Sequence, residues 1–111
     1  MGILPKIDKI VIPPEKFLSY ALDYNRDPDK AFAFEAALGY TKDNAVALID
    51  NIKKNLHKFP ARQKGDNGHG MLYEVVLTLV GPNGKSAKVL TGWMDDLNKD
   101  EMRLITAHID N

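Results

Sequence analysis

The sequence predicts an α+β fold in which N-terminal helices pack on one face of an antiparallel sheet of three to four strands. The first half of the chain carries apolar residues at helical spacing, whereas the second half carries β-branched and aromatic runs that alternate with polar residues. Helices followed by antiparallel strands form two layers and leave the other face of the sheet partly free. Since the chain has 111 residues and no internal repeat, we expect a single domain over residues 1–111.

The N-terminal segment predicts two short elements. Residues 6–12 alternate well enough for a short strand. Pro13-Pro14 ends that strand and opens a short helix over residues 15–22.

Two longer helices are predicted next. Asp27-Pro28 is a typical helix start, because an acceptor side chain stands at the cap and a proline in the first turn, and Gly39 is a natural end. Thr41 caps the second helix, whose apolar residues recur every three or four positions as far as Leu56. This apolar stripe must be buried against a partner.

Three connected strands supply that partner. Residues 72–80 form the first strand, and the dense turn chemistry of Gly81-Pro-Asn-Gly84 joins it to a second strand over residues 86–94. A polar loop over residues 95–101 precedes a third strand over residues 103–109. The three strands form a meander that the helices cover on one face.

The composition excludes several classes of function. Fifteen Lys and Arg balance fifteen Asp and Glu, so that any polyanionic partner must be held by a local patch. Cysteine is absent, which excludes a disulfide framework, a thiolate zinc site, an iron–sulfur cluster and a cysteine nucleophile. No apolar stretch approaches the roughly 20 residues that cross a bilayer, and the first residues lack a signal-peptide core. We therefore expect a cytoplasmic protein with no membrane partner.

The segment over residues 51–65 contains no acidic residue and is strongly basic. Two interpretations stay open: cations gather at a helix C-terminus because the macrodipole favours them there, or they form a patch for a polyanion. On the second interpretation Lys54 and Lys58, four apart on a helix, bind the partner together with Arg62 and Lys64 in a flexible loop.

Gly65-Asp-Asn-Gly-His-Gly70 is a glycine-rich loop before the first long strand, but it lacks the spacing of a P-loop. His69 in this loop either acts as a general acid or base or is an idle solvated side chain. His57, His69 and His108 are too far apart in sequence for a zinc-ligand spacing. No metal and no cofactor are therefore expected.

The most specific pattern lies on the last two strands, which carry Thr91-Gly-Trp93 and Arg103-Leu-Ile-Thr106-Ala-His108. Neighbouring antiparallel strands bring such side chains into one site. An arginine presents a fork of donors to a phosphate, a threonine hydroxyl can position a phosphate oxygen or a nucleophile, and a histidine can move a proton. These groups suit metal-free cleavage of RNA, in which the adjacent 2′-hydroxyl is the nucleophile.

The same residues also suit an ordinary pair of strands. On this interpretation the two threonines are strand residues, Trp93 belongs to the core and Arg103 is a surface charge. Simple alternation also places Thr106 and His108 on the face opposite Arg103, unless a bulge turns one of them.

A series of short motifs covers nearly the whole chain in a characteristic order: Ile12-Pro13, Lys16, Tyr20, Asp29-Lys-Ala31, Phe34, Ala37-Leu-Gly-Tyr40, Asn44, Leu48, Ile52, Tyr73, Gly81-Pro-Asn-Gly84, Thr91-Gly-Trp93 and Arg103-Leu-Ile-Thr-Ala107. This order resembles a small bacterial domain family of uncharacterised function. That family is found at the C-termini of polymorphic and contact-dependent toxins, filamentous-haemagglutinin-like proteins and some phage head proteins, and also as a stand-alone protein. It is similar to the barnase, colicin D and RelE ribonuclease superfamily.

The resemblance implies N-terminal helices on a four-stranded antiparallel sheet and metal-independent cleavage of RNA. It implies an immunity or antitoxin protein as a partner beside RNA. The matching site positions are Lys30, Tyr73, Thr91, Trp93, Arg103 and Thr106. His108 stands where members of the family commonly carry an aromatic residue.

Two hypotheses follow from these observations. The first is an RNA-cleaving, toxin-like domain, and the second is a non-catalytic binding or adaptor module on the same scaffold. For the first, the expected catalytic residues are His69, Thr91, Arg103, Thr106 and His108. Its expected substrate-binding residues are Lys30, Lys54, Lys58, Arg62, Lys64, Tyr73 and Trp93. The sequence does not predict the oligomeric state.

Overall fold

Five strands form one sheet, which we describe from a computed structural model that describes residues 2–110. Strand β1 (Ile10–Val11) runs parallel to β5 (Glu101–Ile109), and the other neighbouring strands are antiparallel. The α+β class is confirmed, but the sheet is mixed and has five strands rather than three or four antiparallel ones. In the spatial order of the sheet, the strands are β1 (Ile10–Val11), β5 (Glu101–Ile109), β4 (Ser86–Asp96), β3 (Gly70–Val80) and β2 (Ala61–Asp66).

Both strands at the edges of the sheet differ from expectation. The segment that contains Arg62 and Lys64 is not a flexible loop but edge strand β2, which pairs with β3 from Ala61 opposite Val75 onward. Charged side chains on an edge strand discourage pairing with another chain. At the other edge only the last part of the predicted N-terminal strand pairs, because Ile7–Lys9 forms a 3-10 turn.

Helix α1 (Pro28–Leu38) begins and ends as its caps predict, whereas α2 (Ala45–Asn55) begins four residues after its predicted cap, Thr41. Helix α1 begins where the Asp27 carboxylate accepts the Lys30 amide hydrogen bond at 3.1 Å, and it ends at Gly39, whose φ of 85° favours glycine. Helix α2 begins after a 3-10 turn that Thr41 caps. The predicted short helix is a π-helical turn, Phe17–Ala21. None of the helices in the described range is long and apolar enough to cross a membrane.

The helices and one face of the sheet share a single hydrophobic core. Phe17 and Phe34 meet edge to face with ring centroids 6.3 Å apart, and both are fully buried. The burial of a large apolar side chain stabilises the fold by about 1.5–3 kcal/mol. The largest fully buried side chains also include Leu38, Leu48, Ile52, Leu56, Leu77, Leu79, Trp93, Met102 and Leu104.

A β-bulge in β5 changes which residues share a face. Gly92 lies opposite Thr106 but Trp93 lies opposite Leu104, so that Ile105 is an extra residue in β5. The simple alternation that places Thr106 and His108 on the face opposite Arg103 is therefore wrong. Leu104 is buried in the core, whereas Arg103, Thr106 and His108 lie together on the face turned away from the helices, which we call the open face.

Candidate functional site

The centre of the open face is built around Gly92. The cross-strand register places Gly92 between Glu74 of β3 and Thr106 of β5, and Arg62 of β2 lies beyond Glu74. A Cβ atom on Gly92 would lie 2.7 Å from the Cγ2 atom of Thr106, closer than side chains tolerate. Glycine at this position therefore leaves room for the Thr106 methyl group above the strand.

His108 and Arg103 lie on the two sides of Thr106 along β5. His108 lies opposite Leu90, and Arg103 lies opposite Met94, both on the open face. The Arg103 Nη2 atom donates a hydrogen bond to Glu101 Oε2 at 2.8 Å. This ion pair holds the guanidinium at the sheet surface, while other N–H donors of the arginine stay available to a ligand. The bulge thus brings a hydroxyl, an imidazole and a guanidinium onto one face.

Lys30 reaches Thr106 from the helical layer. Its Nζ atom lies 3.4 Å from Thr106 Oγ1. The approach is open because β1 pairs with β5 only as far as Arg103, which leaves the following part of β5 without a neighbouring strand on this edge. A cavity of about 250 Å³, which we call the edge cavity, lies here and is lined by Lys16, Tyr20, Lys30, Ile105, Thr106 and Ala107.

Glu74 is a candidate residue that the sequence did not reveal. It is half-buried beside Gly92 and is separated from His108 by two strand spacings and one side-chain repeat along the strand. Standard strand geometry places their Cα atoms about 12 Å apart. A phosphodiester between them lies within reach of both side chains. A single glutamate in a strand carries no spacing signal, so sequence analysis could not find it.

Two of the predicted site residues lie instead in the core. Thr91 and Trp93 are fully buried on the helix-covered face of β4. The Thr91 hydroxyl donates to the Val75 carbonyl oxygen at 2.8 Å and accepts from Trp93 Nε1 at 2.8 Å. Both polar groups are satisfied within the core, and neither side chain is exposed to a ligand.

His69 and Tyr73 are also separated from the open face. His69 is exposed on the turn between β2 and β3, next to Gly70, which lies opposite Asp96. Because His108 lies opposite Leu90, six residues along β4 separate the two histidines, which is about 20 Å. Tyr73 lies opposite Trp93 and packs against the core from the helix-covered face.

The predicted basic patch is divided between the two layers. Lys54 belongs to α2, and Lys58 belongs to the 3-10 turn that follows it, so both lie in the helical layer. Arg62 lies on β2, in the same row as Glu74 on the open face, and Lys64 occupies an irregularity between Gln63 and Gly65. Only Arg62 of these four is in line with the centre of the open face.

Four charged residues form an ion-pair cluster at the end of the sheet where β4 and β5 connect. The Nζ atom of Lys6 lies 2.6 Å from Asp95 Oδ1 and 3.0 Å from Asp100 Oδ1, and that of Lys9 lies 2.5 Å from Asp100 Oδ2. Hydrogen bonds from Lys9 and Lys6 lower the pKa of the Asp100 carboxyl from 3.8 to about 2. Hydrogen bonds to these carboxylates raise the pKa of Lys6 and of Lys9.

Comparison with known proteins identifies the family of the chain. The family described as a domain of unknown function, DUF6883, matches residues 3–111. The chain belongs to this family. No curated protein and no solved structure matches it. Membership in DUF6883 carries no activity to this chain, so a function has to be argued from the open face itself. Among residues 2–110, no group of three or more His, Asp and Glu side chains could hold a metal ion.

Proposed function

We propose that this DUF6883 domain is a metal-independent ribonuclease that cleaves RNA on its open face. The observation that carries the proposal is the bulge in β5, which places Thr106 beside His108 and Arg103, with the Lys30 ammonium 3.4 Å from the Thr106 hydroxyl. Cleavage of RNA without a metal needs a base, an acid and cations that stabilise the phosphorane. The open face carries each of these groups.

The reaction can be written with these side chains. The Glu74 carboxylate accepts the proton of the ribose 2′-hydroxyl, whose oxygen attacks the adjacent phosphorus atom. The bond from phosphorus to the 5′ oxygen breaks, and the protonated imidazole of His108 donates a proton to that oxygen. The products are a 2′,3′-cyclic phosphate and a free 5′-hydroxyl group.

The cations and the hydroxyl hold the reacting phosphate. Arg103 lies along β5 from Thr106 and Lys30 contacts the Thr106 hydroxyl, and their charges stabilise the negative charge that develops on the phosphorane. Thr106 donates a hydrogen bond to a phosphate oxygen while Lys30 keeps its hydroxyl in place. Hydrogen bonds from an arginine and a lysine to one phosphate are charge-assisted, so each is stronger than a hydrogen bond between neutral groups.

The experiment is incubation of the purified protein with total tRNA at neutral pH in the presence of EDTA. Wild type is expected to give discrete fragments that end in a 2′,3′-cyclic phosphate. We expect His108→Gln and Glu74→Gln each to lower the cleavage rate by about 10²–10⁴-fold, because each removes one proton-transfer group. His69→Gln is the matched control, since it changes a histidine about 20 Å from His108, and it should leave the rate unchanged.

Two results would contradict the proposal. The first is equal cleavage by wild type and His108→Gln, which would indicate a contaminating nuclease. The second is binding of RNA without cleavage, which would favour the non-catalytic binding or adaptor module. An unchanged thermal midpoint in both variants is the control that the fold has survived.

A further inference from the structure

We propose that Tyr20, with Lys16 and Arg26, binds one nucleotide of a single-stranded nucleic acid next to the edge cavity. The inference rests on the proposed function, and it deepens that function by naming the form of the substrate. We call these three residues the Tyr20 subsite. It lies on the side of β5 where Lys30 meets Thr106, outside the proton-transfer groups of the open face.

The Tyr20 ring is exposed, so burial of this ring contributes little to the stability of the fold. It belongs to the π-helical turn Phe17–Ala21, whose end residues are buried, yet Tyr20 itself is 45% exposed. Two cations lie against its ring: Arg26 Cζ is 4.8 Å and Lys16 Nζ is 5.8 Å from the ring centroid. Cation–π attraction holds both cations beside one exposed ring.

The positive charges at this place are not neutralised within the described part of the chain. Lys16, Arg26 and Lys30 form no ion pair within residues 2–110. Of the acids on the same segment, Asp23 accepts the Asn25 amide hydrogen bond at 2.9 Å and pairs with Lys42 at 3.5 Å, and Asp27 caps α1. Glu15 and Asp29, the sequence neighbours of Lys16 and Lys30, form no ion pair within residues 2–110. Like charges that converge without a counter-charge repel one another, and a bound anion removes that repulsion.

The chemistry of the subsite matches a nucleotide of an unpaired strand. A base stacks on the exposed aromatic ring in place of a cation that lies over it, and the displaced cation binds the adjacent phosphate. A base in a duplex has no free face to stack on the ring. The edge cavity, at about 250 Å³, is smaller than the roughly 300–1,000 Å³ of pockets that enclose a whole small molecule. It suits one sugar and phosphate of an extended chain.

The position of the subsite fits a strand that continues from the open face. Tyr20, Lys16 and Thr106 line the same cavity, and Thr106 faces both the cavity and the space above Gly92. No strand covers this part of β5, because β1 pairs only as far as Arg103. A phosphate held at Thr106 therefore has its neighbouring nucleotide directed across the free edge of β5 toward Tyr20.

The test measures binding of a short 2′-O-methyl oligoribonucleotide by fluorescence anisotropy. This probe lacks the 2′-hydroxyl nucleophile, so it reports binding whether or not the protein cleaves RNA. Tyr20→Ala is expected to weaken binding at least about fivefold, whereas Tyr20→Phe keeps the stacking face and the affinity. The matched control is Tyr24→Ala, because Tyr24 is 44% exposed on the same segment but lies outside the edge cavity.

The cations are tested with the double variant Lys16→Ala/Arg26→Ala against Lys53→Ala, an exposed lysine of α2. The double variant should bind more weakly and show a shallower dependence of log affinity on log salt, by about 0.7 for each phosphate that the protein no longer neutralises. Lys53→Ala should match wild type in both measurements.

Several outcomes would overturn the inference: no binding by wild type, equal affinity for Tyr20→Ala and Tyr24→Ala, equal affinity for a duplex of the same sequence, or equal affinity for a polyglutamate of the same charge. The last would identify a general polyanion patch. Tyr20-dependent binding without cleavage of tRNA would leave the subsite in place and reject only the ribonuclease. Cleavage with an unchanged KM in Tyr20→Ala would reject only the subsite.

Discussion

The hydroxyl of Thr91 connects two strands and the largest side chain of the core. It satisfies the Val75 carbonyl oxygen on β3 and the Trp93 indole N–H on its own strand, both at 2.8 Å and without access to solvent. A buried donor that loses its partner costs the full desolvation free energy of that group. The pair Thr91 and Trp93 is therefore explained by packing and hydrogen bonding inside the fold.

This role gives a prediction for Thr91→Val. The substitution keeps the volume but leaves the indole N–H without its acceptor, so we expect the free energy of unfolding to fall by about 1–3 kcal/mol. Thr91→Ser keeps the hydroxyl and should restore most of the hydrogen-bonding contribution. Urea denaturation measures both.

Thr78→Val is the control for this prediction. Thr78 is exposed on β3, so its substitution should change the free energy of unfolding by less than about 0.5 kcal/mol. Equal changes for Thr91→Val and Thr78→Val would show that the buried hydrogen bonds contribute nothing measurable.

Within strand β5, the bulge and Gly92 depend on each other. The extra residue Ile105 turns Thr106 onto the open face, and the absence of a side chain at Gly92 leaves space for the Thr106 methyl group. A bulge that has no room on the neighbouring strand would push the two strands apart. The geometry of the candidate site is thus set by two strands together.

A double-mutant cycle tests this dependence. Gly92→Ala should lower the free energy of unfolding by about 1–3 kcal/mol, because its Cβ would lie 2.7 Å from Thr106 Cγ2. Thr106→Ser removes that Cγ2 atom and keeps the hydroxyl, so the double variant should be more stable than the sum of the single changes by about 0.5 kcal/mol or more.

The control for the cycle is Gly2→Ala, since a Cβ at Gly2 would meet no atom within 4 Å. It should leave the urea midpoint unchanged. Additive effects of Gly92→Ala and Thr106→Ser would mean that the two residues do not compete for the same space.

The elements differ in how far the sequence predicts them. Helix α1 carries its own signals, a capping aspartate with proline and a terminal glycine, and both ends are confirmed. The β3–β4 hairpin likewise follows from its turn residues. Edge strand β2 is polar and has a neighbouring strand on one side only, so it has no apolar alternation to detect. Strand β1 has only two residues, too few for any period.

The candidate site was harder to predict than the fold. The structure brings together Lys30, Arg103, Thr106 and His108. It does so through a bulge at Ile105 that the sequence does not predict. Regular alternation instead predicts that Thr106 and His108 lie on the face opposite Arg103, whereas in the structure all three lie on the open face. The resemblance to toxin and ribonuclease domains stays a prediction, as does an immunity or antitoxin partner.

Across the whole molecule, the ion-pair cluster fastens the N-terminal segment to the far end of the sheet. Lys6 and Lys9 are held by Asp95 and Asp100, residues about ninety positions later in the chain. All of these groups are at least partly exposed, so salt weakens their attraction. The cluster acts beside the short parallel pairing of β1 with β5, which has only two residue pairs.

This cluster predicts an acid-dependent stability. Because the pKa of Asp100 is about 2 in the folded protein and 3.8 ordinarily, its contribution is fully present above pH 4 and is lost as the pH falls toward 2. The raised pKa values of Lys6 and Lys9 place the loss of their contribution at alkaline pH, above 10.5. Asp100→Asn should therefore lower the urea midpoint at pH 7 and lower it much less near pH 2, where a large part of the Asp100 carboxyl is protonated.

The control is Asp50→Asn, an exposed carboxylate of α2 that has no ion pair within residues 2–110. Its urea midpoint should follow that of wild type at every pH. The assignment to ion pairing would be contradicted if the difference in urea midpoint between wild type and Asp100→Asn were the same at pH 2 as at pH 7. It would also be contradicted if added salt did not reduce that difference.

Ile10 pairs with Met102 and Val11 with Arg103, so strand β1 can join the sheet only after β5 has been synthesised. On the ribosome, the N-terminal segment emerges before β5, and strand β1 has no partner strand until β5 is translated. The same late strand carries Thr106 and His108. A nascent chain stalled before β5 would expose the open edge of β4 to proteases and chaperones, and it would lack Arg103, Thr106 and His108 of the proposed nuclease while still attached to the ribosome through its tRNA.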